Sequence, residues 1–280
     1  MKCDAKRIRE LERTAFQIRL MGLDMVQTAG SGHLGGAFSM AEILTALYFE
    51  KMNIRPRQPD WPDRDRLVLS KGHGTVALYP VLAKRGFFPE TELASFRQLD
   101  SRLSGHAEMH VPGVDMSTGS LGQGLSVAVG MALSGKMQRR TFYTYAICGD
   151  GEIEEGQIWE AAAFAAHYGL DRLIMILDHN GLQLDGWTRD VLNMGDLCAK
   201  FQAFGWRAYR VDGHDMTALL DVMTRAQTDS DRPAVIVADT VKGKGVSFME
   251  NQVQYHGHVP DNETLNAARA ELIDRLQKLV

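Results

Sequence analysis

The sequence predicts an α/β fold, a parallel sheet with helices on both faces, and three observations carry that expectation. Five short segments, at 65–70, 143–148, 173–178, 206–211 and 234–239, read as strands, and 173–177 among them is continuously apolar, as in a strand covered on both faces. Helical patterns separate them, as in repeated βαβ units. Glycine-flanked polar motifs follow strand ends or open helices, and in such sheets ligands bind at that carboxyl edge.

The 280 residues, 45% hydrophobic and 24% charged, suffice for a substantial core and are expected to form a single domain over 1–280. A net charge of −4 excludes general attraction to nucleic acid or an anionic membrane, so any phosphate binding must be local. Cys3, Cys148 and Cys198 have neither metal nor redox spacing, which fits a reducing, cytoplasmic setting. No secretory signal and no apolar run approaching a membrane span is visible.

In chain order, 4–30 reads as a helix with apolar positions at Ile8, Leu11, Phe16, Ile18, Leu20 and Met25. The turn 30–36 then places His33 among glycines. Ser39 stands at an N-cap position for a helix over 40–49, with Glu42 at capping-box spacing. The proline-rich 53–64 is an irregular connection, and the strand after it runs into Ser70-Lys71-Gly72-His73-Gly74. His106 and His110, with Glu108 between them, invite a zinc reading. Pro112 and Gly113 disfavour the helix that reading needs, and no third ligand is evident. Gly119 to Gly124 opens a small-residue helix over 125–133 without a clear preceding strand.

The central stretch is 143–185. Its first strand breaks at Gly149-Asp150-Gly151, and a helix of about four turns follows. Glu152, Glu154 and Glu155 fall in its first turn, where the helix dipole favours negative charge, and Gly169 is its stop. The strand 173–177 leads into Asp178-His179-Asn180-Gly181. Neighbouring parallel strands lie about 4.8 Å apart, so Asp150 and Asn180 emerge side by side. Their oxygens, with the Leu182 carbonyl, suit a hard divalent cation that also carries phosphate and water. A plain βαβ unit with polar turns is the competing reading. Further on, 217–226 is helical, Pro233 precedes the last strand, and Lys242-Gly243-Lys244-Gly245 follows it. There ammonium groups and glycines suit phosphate, with a solvated basic turn as the alternative. His256 and His258 flank Gly257, and 262–279 is a helix with a charged face.

GDGEIEEGQIWEA followed by LDHNGLQLDG resembles the thiamine-diphosphate fingerprint, and the surrounding residues are similar to the transketolase family and its split, two-subunit forms. The resemblance implies the thiamine-diphosphate-binding fold, with this chain as its diphosphate-side domain. It implies four catalytic histidines: His33 in SGHLGG, His73 in SKGH, His106 in GHAE and His256 before Gly257. Leu34, Ala107 and Ser120 stand where the family usually has proline. Cofactor contacts are implied for His73, Gly119, Ser120, Leu121, Gly149, Asp150, Gly151, Glu155, Asn180, Lys244 and His256. Asp150, Asn180 and the Leu182 carbonyl are implied to hold Mg2+, with Ca2+ or Mn2+ as alternatives.

The implied chemistry is transfer of a two-carbon ketol unit from a ketose, expected to be phosphorylated, to an aldose, with the cofactor ring as electron sink. The family's glutamate that activates the aminopyrimidine has no counterpart in the chain. A C-terminal partner subunit carrying the pyrimidine-binding half is therefore expected, in a heterotetramer with two copies of each. The alternatives are a nucleotide-binding or phosphotransfer protein, a catalytically silent cofactor scaffold, and a deoxyxylulose-phosphate-synthase-like enzyme. The first is disfavoured because no P-loop is present.

Overall fold

The computed structural model describes residues 4–229 and 231–279; Cys3 lies outside them. The N-terminal part is helical: α1 (Ala5–Ala29), α2 (Leu34–Phe38) and α3 (Ala41–Ala46), the last running into a π-helical turn, Leu47–Lys51. Then follow β1 (Arg66–Leu69), α4 (Thr75–Arg85), α5 (Gln123–Met137), β2 (Thr144–Gly149), α6 (Gly156–His167) and β3 (Leu173–His179). A short hairpin, β4 (Leu182–Gln183) and β5 (Gly186–Trp187), precedes α7 (Thr188–Val191) and α8 (Leu197–Ala203). The chain continues through β6 (Arg207–Asp212), α9 (Met216–Thr228), β7 (Ala234–Asp239) and α10 (Asn262–Gln277).

The five long strands are all parallel, in the order β1-β2-β3-β7-β6. Side chains alternate strictly between two cores, as period-two geometry requires. Tyr145, Ile147, Ile174, Ile176, Ala234 and Ile236 face one layer, which α1, α3, α4, α9 and α10 cover. Ala146, Cys148, Met175, Leu177, Val235 and Val237 face the other, packed on α5, α6 and α8 through Leu125, Ile158, Phe201 and Trp206. Burial on both faces explains the apolar runs of β2, β3 and β7, whereas the edge strand β6 is half-exposed and carries two arginines.

All five expected strands are present, shifted by a residue or two at their ends. The long first helix is capped as its sequence suggests. Asp4 accepts from the Arg7 N–H, and Gly30 closes the helix at φ 63°, in the left-handed region that suits glycine.

Two expectations are corrected. Ser39 caps nothing; its hydroxyl points inward to Asp178 (2.6 Å), and Glu42 turns to a buried arginine instead of back to Ser39. The three glutamates after β2 do not share a helical first turn. Glu152–Glu154 is a separate 3-10 turn, Glu155 sits at the N-cap, and α6 starts at Gly156. The cause is Glu152, whose buried carboxylate accepts from the Gly149 and Gly122 N–H groups (both 3.0 Å) and from Ser70 Oγ. Those bonds hold the turn tight against the sheet. The hairpin and α8 had no clear sequence signature, because neither is long enough to display a period.

The helical layer has its own buried charge. The guanidinium of Arg19 forms a two-pronged pair with Glu42 (2.7 and 2.5 Å) and also donates to the Phe38 carbonyl. His214 Nδ1 donates to the same carboxylate, and its Nε2 accepts from the Val241 N–H. Burial alone would raise the Glu42 carboxyl, but Arg19 and His214 prevail and hold it down to about 2. Removing one member of such a pair strands the other without a counter-charge. Glu42→Ala is expected to lower the unfolding free energy by about 3–5 kcal/mol, read from urea denaturation at unchanged slope. A loss below about 1 kcal/mol would contradict this account.

Candidate active site

The carboxyl ends of β1, β2, β3 and β7 open into one cleft of about 280 Å³. Register places Gly149 opposite Asp178, and Asp178 opposite Ala238, so the loops after these strands leave the sheet at one level. The β1 loop supplies Lys71 and His73, the β2 loop Asp150 and Gly151, the β3 loop Asn180 and Leu182, and the β7 loop Lys242. His33 enters from the turn before α2, His256 from the segment after β7, and His106, Gly119 and Leu121 from the stretch before α5.

Asp178 binds these segments together. It is fully buried, and its carboxylate accepts from Ser39 Oγ (2.6 Å), Lys71 Nζ, Asn180 Nδ2 (3.0 Å) and Thr240 Oγ1. Burial pushes its pKa up, but Lys71 and the hydroxyl donors outweigh that and leave the acid below its ordinary value. Lys71 also donates to the Gly36 carbonyl (2.9 Å), which ties down the loop that carries His33.

Asp150 differs. Its two oxygens accept from the N–H groups of Gly181 (2.6 Å) and Gly151 (3.1 Å), and among the described residues it makes no ion pair. Burial, with Asp178 nearby, raises it to about 6. Asn180 Oδ1 accepts from the Leu182 N–H (3.2 Å), and the Leu182 carbonyl accepts from Lys242 Nζ (2.9 Å). An ammonium therefore already stands beside the oxygens expected to hold a metal. Burial, then Lys71, lowers Lys242 to about 8, and its Nζ also donates to His256 Nδ1 (2.7 Å). Among the described residues no three histidine, cysteine or carboxylate side chains gather in a metal-binding group. The donor set here is one carboxylate, one amide oxygen and one backbone carbonyl, all hard oxygens, which matches Mg2+ rather than zinc.

The four expected histidines converge. Ring centroids of His33 and His73 are 5.2 Å apart, His73 and His256 5.4 Å, His33 and His256 5.9 Å, and His33 and His106 6.4 Å. Burial, then Arg97 and His106, pushes His33 down to about 4. Burial, then Lys71, takes His73 to about 2, and burial with Lys242 takes His256 to about 4. These three rings are thus neutral at pH 7, each with one donor and one acceptor nitrogen. His110 lies outside, exposed, with Nε2 donating to the Arg102 carbonyl (2.9 Å).

Three expected contacts fall outside the cleft lining. Ser120 lines an adjoining groove that shares His106 and Gly119 with the cleft. Glu155 is exposed beside Gly122. Lys244 stands 4.0 Å from Glu250. Gly243, at φ 79° and packed against the Met249 carbonyl, reverses the chain between the two lysines, so Lys242 faces the cleft and Lys244 does not. Sequence reasoning gave no site role to Lys71, Asp178 and Glu152, and it named Lys242 only within the basic turn whose assigned cofactor contact was Lys244.

A parallel sheet whose carboxyl edge gathers an oxygen donor set and a ring of neutral imidazoles defines a cofactor-dependent enzyme domain. Residues 11–274 match the family described as "Transketolase, thiamine diphosphate binding domain". The chain is 44% identical over 264 residues to the 6-deoxy-6-sulfo-D-fructose transketolase subunit SqwG of Clostridium sp. (strain MSTE9), covering 94% of this chain and 96% of that protein. It is 42% identical to an apulose-4-phosphate transketolase subunit of Actinobacillus succinogenes, covering 95% and 96%. Among solved structures, transketolase from Campylobacter jejuni superposes with a TM-score of 0.89 at 32% identity, covering 94% of this chain and 43% of that one. The chain belongs to the transketolase family, as a thiamine-diphosphate-binding N-terminal subunit.

The depressed histidines have a consequence for stability. In the folded chain His73 stays neutral, whereas the unfolded ring takes up a proton below its ordinary value of 6.5, so acid favours unfolding. Between pH 7 and pH 5 the wild type should lose about 2 kcal/mol more stability than His73→Asn. Urea denaturation at the two pH values checks this, and equal losses would contradict it.

Proposed function

We propose that the chain holds the diphosphate end of thiamine diphosphate through a divalent cation and works as one half of a ketol-transferring enzyme. The observation that carries the proposal is the pairing, in one cleft, of the Asp150, Asn180 and Leu182 oxygens with four converging histidines. Asp150 is a buried carboxylate with fixed oxygens and no cation partner among the described residues, which is what a resident metal would satisfy. Mg2+ fits best, and Ca2+ or Mn2+ would accept the same donors. The Leu182 carbonyl has a second lone pair, so accepting from Lys242 does not exclude it as a ligand.

When bound, the cofactor supplies the electron sink that breaking and making the ketose carbon–carbon bond requires. The chain's own residues do the rest. Lys242 and His256 place donors beside the Leu182 carbonyl, in the region suited to diphosphate oxygens, and Lys242 takes the role expected of Lys244. Gly149 and Gly151, without side chains, admit the ligand close to the backbone. Gly119, Ser120 and Leu121, which line the cleft or its adjoining groove, would meet the aminopyrimidine end. His33, His73, His106 and His256 orient sugar hydroxyls and move protons between them, for which neutral imidazole is suited.

The cleft is open where the exposed Leu121 and Leu184 flank it. Chemistry of this kind needs water excluded, and burying such apolar side chains against another chain does that. A C-terminal subunit with the pyrimidine-binding half is the proposed cover, in a heterotetramer with two copies of each, in the cytoplasm, acting on sugar phosphates. Both relatives described above are likewise named as transketolase subunits.

The test is reconstitution. The purified chain with thiamine diphosphate, Mg2+, a ketose donor and an aldose acceptor should be inactive until the partner is added, and full activity without it would overturn the proposal. In the assembled enzyme, Asp150→Ala should abolish metal-dependent cofactor binding in calorimetry; unchanged affinity would remove Asp150 from the metal set. Alanine at His33, His73, His106 or His256 should lower turnover by roughly 10²–10⁴, with less effect on cofactor affinity. His110→Ala should be nearly silent, and a comparable loss there would speak against the assigned set.

A further inference from the structure

One cation near the cleft has no assigned work. Arg97 sits in the loop after the 3-10 turn Glu90–Ser95, with its backbone in the left-handed region at φ 56°. A non-glycine residue held there is uncommon and is retained where the surroundings over-determine it. They do so here. The Arg97 N–H donates to the Leu103 carbonyl (2.8 Å), Ser101 N donates to the Gln98 carbonyl (3.2 Å), and Ser95 and Ser101 share a hydroxyl bond (2.7 Å). The Arg102 guanidinium clamps Glu92 with two bonds (3.0 and 2.9 Å). The loop is braced on every side of Arg97.

The side chain is aimed as well. Its guanidinium packs against Gly105, where a Cβ would come within 2.3 Å of both Nε and Nη2, so a side chain at 105 would displace it. Gly105 precedes His106, whose ring is 6.4 Å from that of His33. After burial, Arg97 is the largest influence holding His33 neutral, whereas the groups acting on Asp150 are Asp178, Gly181, His179 and Lys242. Through Gly105, the neighbour of the cleft-lining His106, Arg97 thus stands on the histidine side of the cleft.

The charge is unspent. Lys71 is paired with Asp178, and Lys242 donates to Leu182 and His256. Among the described residues the Arg97 guanidinium has neither a carboxylate nor a hydrogen-bond acceptor; its nearest aromatic contact is the Phe96 ring at 5.7 Å. A half-buried, unpaired guanidinium on a braced loop beside a sugar-sized cleft is suited to receive an oxyanion, whose oxygens its fork matches.

We propose that Arg97 recognises an anionic group at the far end of the sugar substrate, a phosphate or a sulfonate, and so sets substrate specificity from this chain's side of the site. The inference rests on the ketol-transfer reading for its substrate class. The cofactor's own diphosphate is not the target, because its proposed contacts are the metal-binding oxygens, Lys242 and His256, and Arg97 bonds to none of these among the described residues.

The experiment compares three donors differing only at the terminal carbon (fructose 6-phosphate, 6-deoxy-6-sulfofructose and fructose) on the enzyme assembled with its partner. Arg97→Gln should lower kcat/KM for one or both charged donors by about 10- to 100-fold, mainly through KM, the range for a lost charge-assisted hydrogen bond. The value for fructose should move by less than about twofold, and Arg97→Lys should recover part of the loss. Whichever charged donor loses more identifies the terminal group. An equal loss on all three donors, or no loss on either charged one, overturns the proposal. Calorimetric binding of the same sugars without acceptor separates this from the reaction assignment. A complex that binds the charged sugars through Arg97 but transfers nothing refutes the reaction and keeps the anion site. A wild-type complex that binds fructose 6-phosphate no more tightly than fructose refutes the anion site.

Discussion

The buried carboxylate of Asp178 is the constraint on which the cleft depends. It sits at the end of the central strand β3 and receives donors from four separate stretches of chain: Ser39, Lys71, Asn180 and Thr240. Each is adjacent to a loop that brings a cleft residue, respectively those of His33, His73, Leu182 and Lys242. A charge without water is costly unless fully paired and hydrogen-bonded. The four loops therefore share one energetic requirement. If one moves away, the others lose part of their anchor, and the cleft geometry is held as a unit rather than loop by loop.

The same requirement explains why two neighbouring aspartates differ. Asp178 is satisfied by protein donors and stays acidic, while Asp150, given backbone N–H bonds but no cation, is pushed up toward neutrality. A carboxylate prepared in geometry and left short of charge is suited to a cation that arrives from outside. The imidazoles of His33, His73 and His256 in the same cleft are kept neutral by burial and by the surrounding lysines and Arg97. The same cleft thus holds oxygens short of a counter-charge and neutral rings able both to donate and to accept a hydrogen bond. The positive charge of Lys71 and Lys242 between them favours an anionic occupant.

Matching nearly the whole length of the two subunit relatives and less than half of a solved transketolase is consistent with this division of labour. The sheet edge provides one wall of a site. The exposed apolar residues at its rim, Leu121 and Leu184 among them, are costly in water and useful against another surface. Small residues on α5 and α6, such as Ala128, Ala132, Ala161 and Ala165, let those two helices pack closely beside the sheet.

The sequence by itself determined the sheet, because strands buried on both faces must be continuously apolar, and it determined Asp150 and Asn180, because adjacent parallel strands bring their ends together. Histidines set between glycines were legible for the same kind of reason, since chain that approaches a ligand cannot carry bulk. Only the tertiary structure decided that Ser39 and Glu42 belong to buried polar networks rather than to a helix cap. Local spacing cannot say which way a side chain turns once a distant carboxylate or guanidinium competes for it. Only the tertiary structure chose Lys242 over Lys244, through a left-handed turn at Gly243 whose direction depends on packing against Met249. Asp178, Glu152 and Arg97 look in sequence like ordinary polar residues near turns. Their roles come largely from partners 30 to 139 positions away, or for the Arg97 guanidinium from having no acceptor among the described residues, and no periodicity or motif records that.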